Sequence, residues 1–311
     1  MKLAEQYIDE LIHQQALPSH YKDLTGDYLW PLVQDMHAHY QALHGEVFSK
    51  RPWLVGLQGT QGSGKSTVCL FIKALLEKCF NYSVAIFSLD DFYLTKQERQ
   101  QLGRDIHPLL VTRGVPGTHD VDLALTTFKA LENAKDHPVP APSFNKAIDD
   151  RRPKSEWKKI DQTVDIILFE GWCVGATPQT ERQLEQPINL LEKLEDSDGV
   201  WRHYVNDHLK GSYKALFDTI DNLIVLKAPS FKQVYEWRLL QETKLIEQLK
   251  PSDDYSNILS AEQIRRFISH YERLTNHCLN VLPELASWTL TLNEQHDMVG
   301  LTRNNNEVRL E

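Results

Sequence analysis

Gly59-Thr60-Gln61-Gly62-Ser63-Gly64-Lys65-Ser66 decides the fold of this 311-residue chain, because it matches G-x-x-x-x-G-K-[ST] at every fixed position. The glycines let successive backbone N–H groups turn inward around a phosphate, and the helix that follows adds its positive N-terminal end. A lysine here can reach the β- and γ-phosphates, and the serine hydroxyl can ligate Mg²⁺. The stretch, extended by Thr67, predicts a nucleotide-phosphate site.

The sequence around this loop alternates between strand-like and helix-like segments. Trp53–Gln58 is a short apolar run without polar alternation, as expected for a strand buried on both faces. Alternation of strands and helices predicts an α/β fold with a parallel sheet built from right-handed crossovers. The other predicted strands are Val84–Leu89, Val164–Phe169, Leu223–Leu226 and Trp288–Leu292; the predicted helices are Ser66–Phe80, Val121–Ala134, Tyr204–Leu216, Ser230–Leu249 and Ala261–Leu282.

Three regions lie outside this alternation. Residues 1–50 carry helical periodicity, with Tyr7, Ile8, Leu11 and Ile12 on one face, and predict a helical N-terminal extension packed on a main domain of residues 51–311. Residues 95–120 and 136–163 are rich in Pro, Gly and charge, so we expect irregular segments there. Long irregular segments in compact α/β domains usually carry binding functions or lids.

Two strands end in carboxylates, and the first ends in a pair, Asp90 and Asp91. Ligands of open parallel sheets bind beyond the carboxyl ends of the strands. If the backbone stays extended, the two side chains point to opposite sides, so only one can face the phosphates. Such a carboxylate can accept the proton of an alcohol that attacks the γ-phosphate. The alternative is a turn in which aspartate caps the next helix.

The strand that precedes Trp172 ends in the single carboxylate of Glu170. This is where enzymes with such a phosphate loop hold Mg²⁺, directly or through water. Because Mg²⁺ keeps several waters, Ser66, Glu170 and phosphate oxygens would complete its shell. The alternative is a strand-end glutamate that faces solvent.

Composition restricts the setting and the partners. The formal net charge of −9 does not favour nucleic acid as a partner, and no apolar stretch approaches the ~18 residues of a membrane span. The four cysteines form no CxxC pair and predict reduced thiols. The first residues are amphipathic and charged. We therefore expect a cytoplasmic protein, monomeric or homodimeric.

The loop, Asp90-Asp-Phe-Tyr93 and Phe169-Glu-Gly-Trp172 together resemble the uridine kinase, phosphoribulokinase and pantothenate kinase superfamily. Within it, the chain is similar to the D-glycerate 3-kinase group from about Trp53 to the last predicted strand. The matching segments are Arg113-Gly-Val-Pro-Gly-Thr-His-Asp120, Pro142-Ser-Phe-Asn-Lys146 and Val234-Tyr-Glu-Trp-Arg-Leu239.

The resemblance implies a P-loop NTPase fold with a five-stranded parallel sheet of order 2-3-1-4-5 and a helical lid. It implies MgATP as the phosphoryl donor. It gives the proton-accepting role to Asp90 rather than Asp91, because relatives have Ser or Gly at the second position. It also implies that Arg238 is a lid residue that closes over the phosphates.

An anionic acceptor would need a positive partner, and Arg113 and Lys146 fall inside matched segments. Tyr93 and His119 are further candidates for acceptor contacts, although either could be a core residue. Asp120 precedes an apolar helix and predicts an N-cap. For the run Arg151, Arg152, Lys154, Lys158 and Lys159 a solvated face is the favoured interpretation.

The preferred hypothesis is phosphoryl transfer from MgATP to a hydroxyl of a small, anionic metabolite, with D-glycerate as the first acceptor. Where glycerate kinases have Tyr-Asp-Lys-Ser, this chain has Phe144-Asn-Lys-Ala147. A pantothenate- or uridine-like acceptor therefore stays open. A regulator that uses ATP as a switch is the alternative from another class, but it would need no base such as Asp90.

Overall fold

A computed structural model describes residues 4–43, 51–134, 136–248 and 260–304 of the chain. They form a central sheet with helices on both faces, so the predicted α/β class is confirmed. Within these ranges no helix combines the length and the apolar character needed to cross a bilayer.

The central sheet has six strands, numbered in chain order. They lie in the order β2-β3-β1-β4-β5-β6, and all neighbouring pairs are parallel except β5 and β6. The predicted order of five parallel strands is confirmed. The antiparallel sixth strand was not predicted. The strands are β1 (Trp53–Gly59), β2 (Val84–Ser88), β3 (Ile166–Gly171), β4 (Asn222–Lys227), β5 (Trp288–Leu292) and β6 (Met298–Arg303).

The predicted central strand β1 is buried along its whole length. Its alternate side chains Trp53, Val55 and Leu57 enter one apolar cluster, together with the helix Lys65–Phe80. Leu54 enters a second cluster on the opposite face, with residues of the helices Val121–Ala130 and Ala261–Leu285. Since both faces are covered by apolar groups, the strand needs no polar alternation.

The N-terminal helices Glu5–Gln14 and Trp30–Leu43 pack on the helix Lys65–Phe80. Val33 and Met36 are fully buried in the same cluster as β1, and the ring of Trp30 stacks on Phe80 at 5.8 Å. The described part of residues 1–50 thus contributes to the core. A domain boundary at residue 50 stays a prediction.

Three secondary-structure predictions were wrong in detail. The predicted helix Tyr204–Leu216 is two helices, Val200–Lys210 and Ser212–Phe217, which meet at Gly211. Residues 95–120 contain the helix Lys96–Asp105, which begins with a capping box between Thr95 and Glu98. Residues 136–163 contain two ribbons, which pair 139–141 with 158–160 and 144–145 with 150–151. The other described helices are Tyr21–Leu24, Glu181–Leu184, Leu190–Glu195 and Phe231–Gln248.

The last helices agree closely with the sequence pattern. Phe231–Gln248 matches the predicted 230–249, whose final residue lies outside the described ranges. Ala261–Leu285 begins at the N-cap Ser260 and extends past the predicted end through Pro283. Its apolar residues, among them Leu274, Cys278 and Leu282, enter the second cluster with Leu54 of β1.

Candidate functional site

The loop after β1 has the backbone shape of a phosphate cradle. Gly62 and Gly64 take φ values of 76° and 85°, the left-handed region that favours glycine. The loop is braced from within, because Ser63 Oγ and Lys65 Nζ both donate to the carbonyl of Thr60, at 2.8 and 3.0 Å. The helix begins at Lys65, so its first N–H groups face the loop.

The loop leaves room where phosphate oxygens would approach. A Cβ at Gly64 would meet no atom within 4 Å, whereas one at Gly59 would lie 2.7 Å from Ser63 Oγ. Thr60 Oγ1 and Gln61 Oε1 are buried without a hydrogen-bond partner among the described residues. The open space and the helix N-terminus fit an anionic triphosphate. Thr67 is the third residue of the helix.

Ser66 and Glu170 meet at the carboxyl edge of the sheet. Ser66 Oγ donates to Glu170 Oε1 at 2.8 Å, and Glu170 is 6% exposed. The register places Glu170 between Leu57 of β1 and Ser88 of β2. In the described ranges no cluster of three or more His, Cys, Asp or Glu could hold a metal alone. One hydroxyl and one carboxylate, completed by waters and phosphates, are a donor set that Mg²⁺ accepts.

The aspartate pair lies in a short 3-10 turn, Leu89–Phe92, and not in extended backbone. Asp91 points back and accepts from the backbone N–H groups of Ser88 and Phe144, at 3.3 and 3.4 Å. Asp90 points the other way. Its Oδ1 accepts from the hydroxyl of Tyr93 at 2.6 Å, and its Oδ2 pairs with Lys146 Nζ at 2.6 Å. The two carboxylates point in different directions, as expected, although a 3-10 turn and not extended backbone separates them.

The two carboxyls differ in their electrostatics. Burial alone would raise the pKa of Asp90, but Lys146, the Tyr93 hydroxyl and Lys65 together bring its pKa below the ordinary value. Burial raises the pKa of Asp91 to about 6, and its two backbone donors only partly oppose that rise. Asp90 is therefore ionised near neutral pH and lies within the field of Lys65. Asp91 is a structural cap.

Tyr93 and His119 form the wall beside Asp90. Their rings stack at 4.7 Å, and their backbones form an isolated antiparallel bridge. Burial lowers the pKa of His119 to about 3, so its ring is neutral. Its Nδ1 lies 2.5 Å from the hydroxyl of Tyr213, while its buried Nε2 contacts no partner in the described part of the chain.

Arg113 and Lys146 lie on the same side of the site. Lys146 contacts Asp90 directly, and Arg113 pairs with Asp149 while its guanidinium lies 5.9 Å from the centre of the Tyr93 ring. Asp149 is in the left-handed region at φ 56° and also pairs with the buried Arg99 at 3.1 Å. Sequence reasoning missed both Arg99 and Asp149, because neither lies in a matched motif.

The basic run was interpreted correctly except at Arg151. Arg152, Lys154, Lys158 and Lys159 are exposed. Arg151, with a side chain only 13% exposed, donates to the carbonyl of Tyr93 at 2.8 Å and pairs with Asp120 at 3.1 Å. Asp120 also caps its helix through Leu123 N–H, as predicted. Arg151 thus fixes the turn that carries Asp90.

Arg238 is a half-buried residue of the helix Phe231–Gln248. This helix follows the carboxyl end of β4, and the phosphate loop follows the carboxyl end of the parallel neighbour β1. Trp237 beside it donates to the carbonyl of Glu294 at 2.8 Å and anchors this end of the helix. Closure of Arg238 over the phosphates stays a prediction.

A model of the phosphoribulokinase / uridine kinase family matches residues 54–186, which include the loop and both strand-end carboxylates. The uncharacterized kinase mug58 of Schizosaccharomyces pombe is 33% identical over 255 residues, covering 75% of this chain and 88% of that protein. The chain belongs to the phosphoribulokinase and uridine kinase family. It is a small-molecule kinase, as its sequence indicates.

Two D-glycerate 3-kinases are also similar to this kinase. The chloroplastic D-glycerate 3-kinase of Arabidopsis thaliana is 30% identical over 243 residues, which cover 74% of this chain but 49% of that enzyme. This kinase therefore spans about half the length of the plant relative. The solved structure of D-glycerate 3-kinase from Cryptococcus neoformans is 26% identical, with a TM-score of 0.68 over 88% of this chain and 99% of that one.

Proposed function

We propose that this kinase transfers the γ-phosphoryl group of MgATP to a hydroxyl of a small anionic metabolite, with D-glycerate as acceptor and 3-phosphoglycerate as product. The observation that carries the proposal is the ionised Asp90, held at 2.6 Å by both Tyr93 and Lys146 within the field of Lys65. A carboxylate that is kept charged beside a phosphate loop is suited to accept an alcohol proton. A nucleotide switch has no use for it.

In this mechanism the acceptor hydroxyl gives its proton to Asp90 while its oxygen forms a bond to the γ-phosphorus. The bond between that phosphorus and the β,γ-bridging oxygen breaks, and ADP leaves. Lys65 and the loop N–H groups offset the charge on the phosphates. Ser66 and Glu170 would hold the Mg²⁺, which screens phosphate charge when bound. Arg238 would close from its helix.

The acceptor side supports a small anion with hydroxyl groups. Gly117 N–H donates to the Tyr213 hydroxyl at 3.1 Å, and the same hydroxyl lies 2.5 Å from His119 Nδ1. The ring of His119 is neutral, and its buried Nε2 has no hydrogen-bond partner among the described residues. Arg113 and Lys146 add positive charge nearby. A hydroxyl or carboxylate oxygen suits this set better than an apolar group.

The names of the relatives favour glycerate among the possible acceptors. Both the Arabidopsis and the Cryptococcus relatives are D-glycerate 3-kinases. Pantothenate kinases also match, but only over about half of this chain, as at 28% identity over 44% of it. A pantothenate-like or uridine-like acceptor is the second candidate. We expect the reaction in the cytoplasm, in a monomer or homodimer.

The test is ADP release by the purified kinase with MgATP and a panel of D-glycerate, glycolate, pantothenate, uridine and simple sugars. The proposal expects turnover with D-glycerate well above the other members. Turnover of another member without turnover of D-glycerate would overturn the proposal that D-glycerate is the acceptor, while the kinase activity would stand. Equal ATP consumption with every acceptor and with none would favour the switch.

A further inference from the structure

Asp149 holds two arginines that come from different segments of the chain. Its Oδ1 accepts a hydrogen bond from Arg113 Nη1, and its Oδ2 pairs with Arg99 Nη2 at 3.1 Å. Arg99 belongs to the helix Lys96–Asp105, and Asp149 precedes the ribbon strand 150–151. One carboxylate thus joins the helix, the ribbon and the segment that carries Arg113.

Arg99 fixes Asp149 in place from the interior. The Arg99 side chain is 1% exposed, and its Nη2 also donates to the carbonyl of Asp149 at 2.7 Å. Its Nη1 and Nε donate to the carbonyls of Val111 and Leu94, at 2.9 and 3.2 Å. A buried guanidinium needs hydrogen-bond acceptors and a counter-charge, and Asp149 supplies the counter-charge. Asp149 is therefore bound through both its carboxylate and its backbone.

Arg113 keeps part of its guanidinium available to a ligand. Among the described residues, Nη1 is the guanidinium nitrogen of Arg113 that has an acceptor, and the side chain is 26% exposed. The guanidinium carbon lies 5.5 Å from the centre of the Phe144 ring and 5.9 Å from that of the Tyr93 ring. The hydroxyl of Tyr93 donates to Asp90 at 2.6 Å, so Arg113 lies on the same wall as the proposed base.

The three side chains leave one positive charge for a ligand. Two guanidinium groups share the single carboxylate of Asp149, and Arg99 is the buried one of the two. The net positive charge is thus accessible at Arg113. Its Nε and Nη2 carry N–H groups on one edge of a planar fork, which is the geometry that binds a carboxylate with two parallel hydrogen bonds.

We propose that Asp149 is a positioning residue that orients Arg113 to bind the carboxylate of an anionic acceptor. The inference rests on the proposed function in treating Arg113 as an acceptor contact. Because Asp149 holds one nitrogen of Arg113, the other two are oriented before the ligand arrives. A side chain that is ordered beforehand lowers the cost of binding.

Steady-state kinetics of Asp149→Asn with MgATP and D-glycerate tests this role. Asparagine keeps the size of the side chain and tolerates φ 56°, so the substitution removes the charge and keeps the turn. The KM for D-glycerate should rise by about ten-fold, while kcat and the KM for ATP stay within about two-fold of wild type. A merely structural role would lower kcat and raise the KM for ATP as well.

A second arm repeats the substitution in an Arg113→Met background. Arg113→Met alone should raise the KM for D-glycerate by about ten-fold or more. Adding Asp149→Asn should then change it by less than about two-fold, because Asp149 acts through Arg113. The exposed Asp161→Asn is the control and should change neither background.

Arg99→Met covers the case that Asp149→Asn fails to fold. It removes the buried charge itself and leaves Asp149, whose side chain is 35% exposed, in contact with water. Asp149 then loses its anchor, so the KM for D-glycerate should rise by about three-fold or more with kcat retained.

A KM for D-glycerate that Asp149→Asn leaves unchanged would overturn the positioning role. A lower KM would also overturn it, since Asp149 would then compete with the acceptor for Arg113. So would an equal rise in the Arg113→Met background. If glycolate or pantothenate is turned over in place of D-glycerate, the same measurements with that anion test the inference, and the choice of D-glycerate alone fails. Turnover confined to uridine or sugars, or no turnover, would overturn both proposals.

Discussion

Lys146 Nζ lies 2.6 Å from the Asp90 carboxylate, although the two residues belong to different segments. Asp90 is in the turn after β2, and Lys146 follows the short strand 144–145 of a ribbon. The lysine side chain is 64% exposed and the aspartate 27%. The pair is thus open to a ligand on one side, where an anionic acceptor could contact the lysine while its hydroxyl meets the carboxylate.

Lys146→Met should weaken the kinase in two separable ways. Without the lysine cation, burial raises the pKa of Asp90. The acid limb of the plot of rate against pH should therefore shift to higher pH by about one unit or more. The KM for D-glycerate should also rise, because an anion loses a partner. Lys159→Met, at an exposed position of the other ribbon, is the control. Rate profiles that coincide for wild type and Lys146→Met would contradict this role.

Ser66→Ala and Glu170→Gln should raise the Mg²⁺ concentration for half-maximal rate by about ten-fold or more. The hydroxyl and the carboxylate contact each other at 2.8 Å and would share one ion. Titration of MgCl₂ at fixed ATP measures the effect. Glu156→Gln, an exposed partner of Arg152, should behave as wild type. A Mg²⁺ dependence that both site variants leave unchanged would place the ion elsewhere.

Asp91→Asn should keep activity and alter how stability depends on pH. The folded pKa of Asp91, about 6, is above the ordinary value of 3.8, so the folded state holds this proton more tightly. Its stabilising contribution is full below about pH 4 and is lost as pH rises through about 6. The advantage of Asp91→Asn over wild type in free energy of unfolding should therefore grow from pH 4 to 6 and then level off.

Denaturant unfolding at several pH values measures that difference, with the exposed Asp161→Asn as control. A constant offset between Asp91→Asn and wild type across the range would show that the carboxyl does not titrate as its burial indicates.

Gly64→Ala should destabilise the loop through its backbone and not through a clash. At φ 85° an alanine costs about 1–2 kcal/mol, and nothing lies within 4 Å of its Cβ. The midpoint of thermal unfolding should fall by about 2–4 °C, and the KM for ATP should rise. Gly300→Ala in β6, where the new Cβ makes ordinary contact with Thr291, should change neither by as much.

The phosphate loop and the strands could be predicted because both depend on local sequence, whereas the sheet order was implied by the resemblance to the kinase superfamily. Glycines at fixed positions mark the loop, and apolar runs such as Trp53–Gln58 mark strands buried on both faces. The ribbons of residues 136–163 could not be predicted, because each strand has only two or three residues. Their pairing depends on contacts such as that of Arg151 with Tyr93.

The residues proposed to contact the acceptor could be predicted individually, but their arrangement in space could not. Arg113, His119 and Lys146 were candidates from matched segments, but Asp149 and Tyr271 carried no signal. The hydroxyl of Tyr271 donates to the carbonyl of Arg113 across 158 positions of the chain, and a periodic sequence pattern cannot predict such a contact.

The most direct test of the account compares phosphoryl transfer by Asp90→Asn and Asp91→Asn in single turnovers with MgATP and D-glycerate. Asp90→Asn should slow transfer by about 10²–10⁴-fold with little change in ATP affinity, because only the proton acceptor is lost. The transfer rate of Asp91→Asn should stay within about three-fold of wild type, since this side chain caps the turn and takes no part in the reaction. Equal rates for the two variants, or a larger loss in Asp91→Asn, would contradict the assignment of Asp90 as the base.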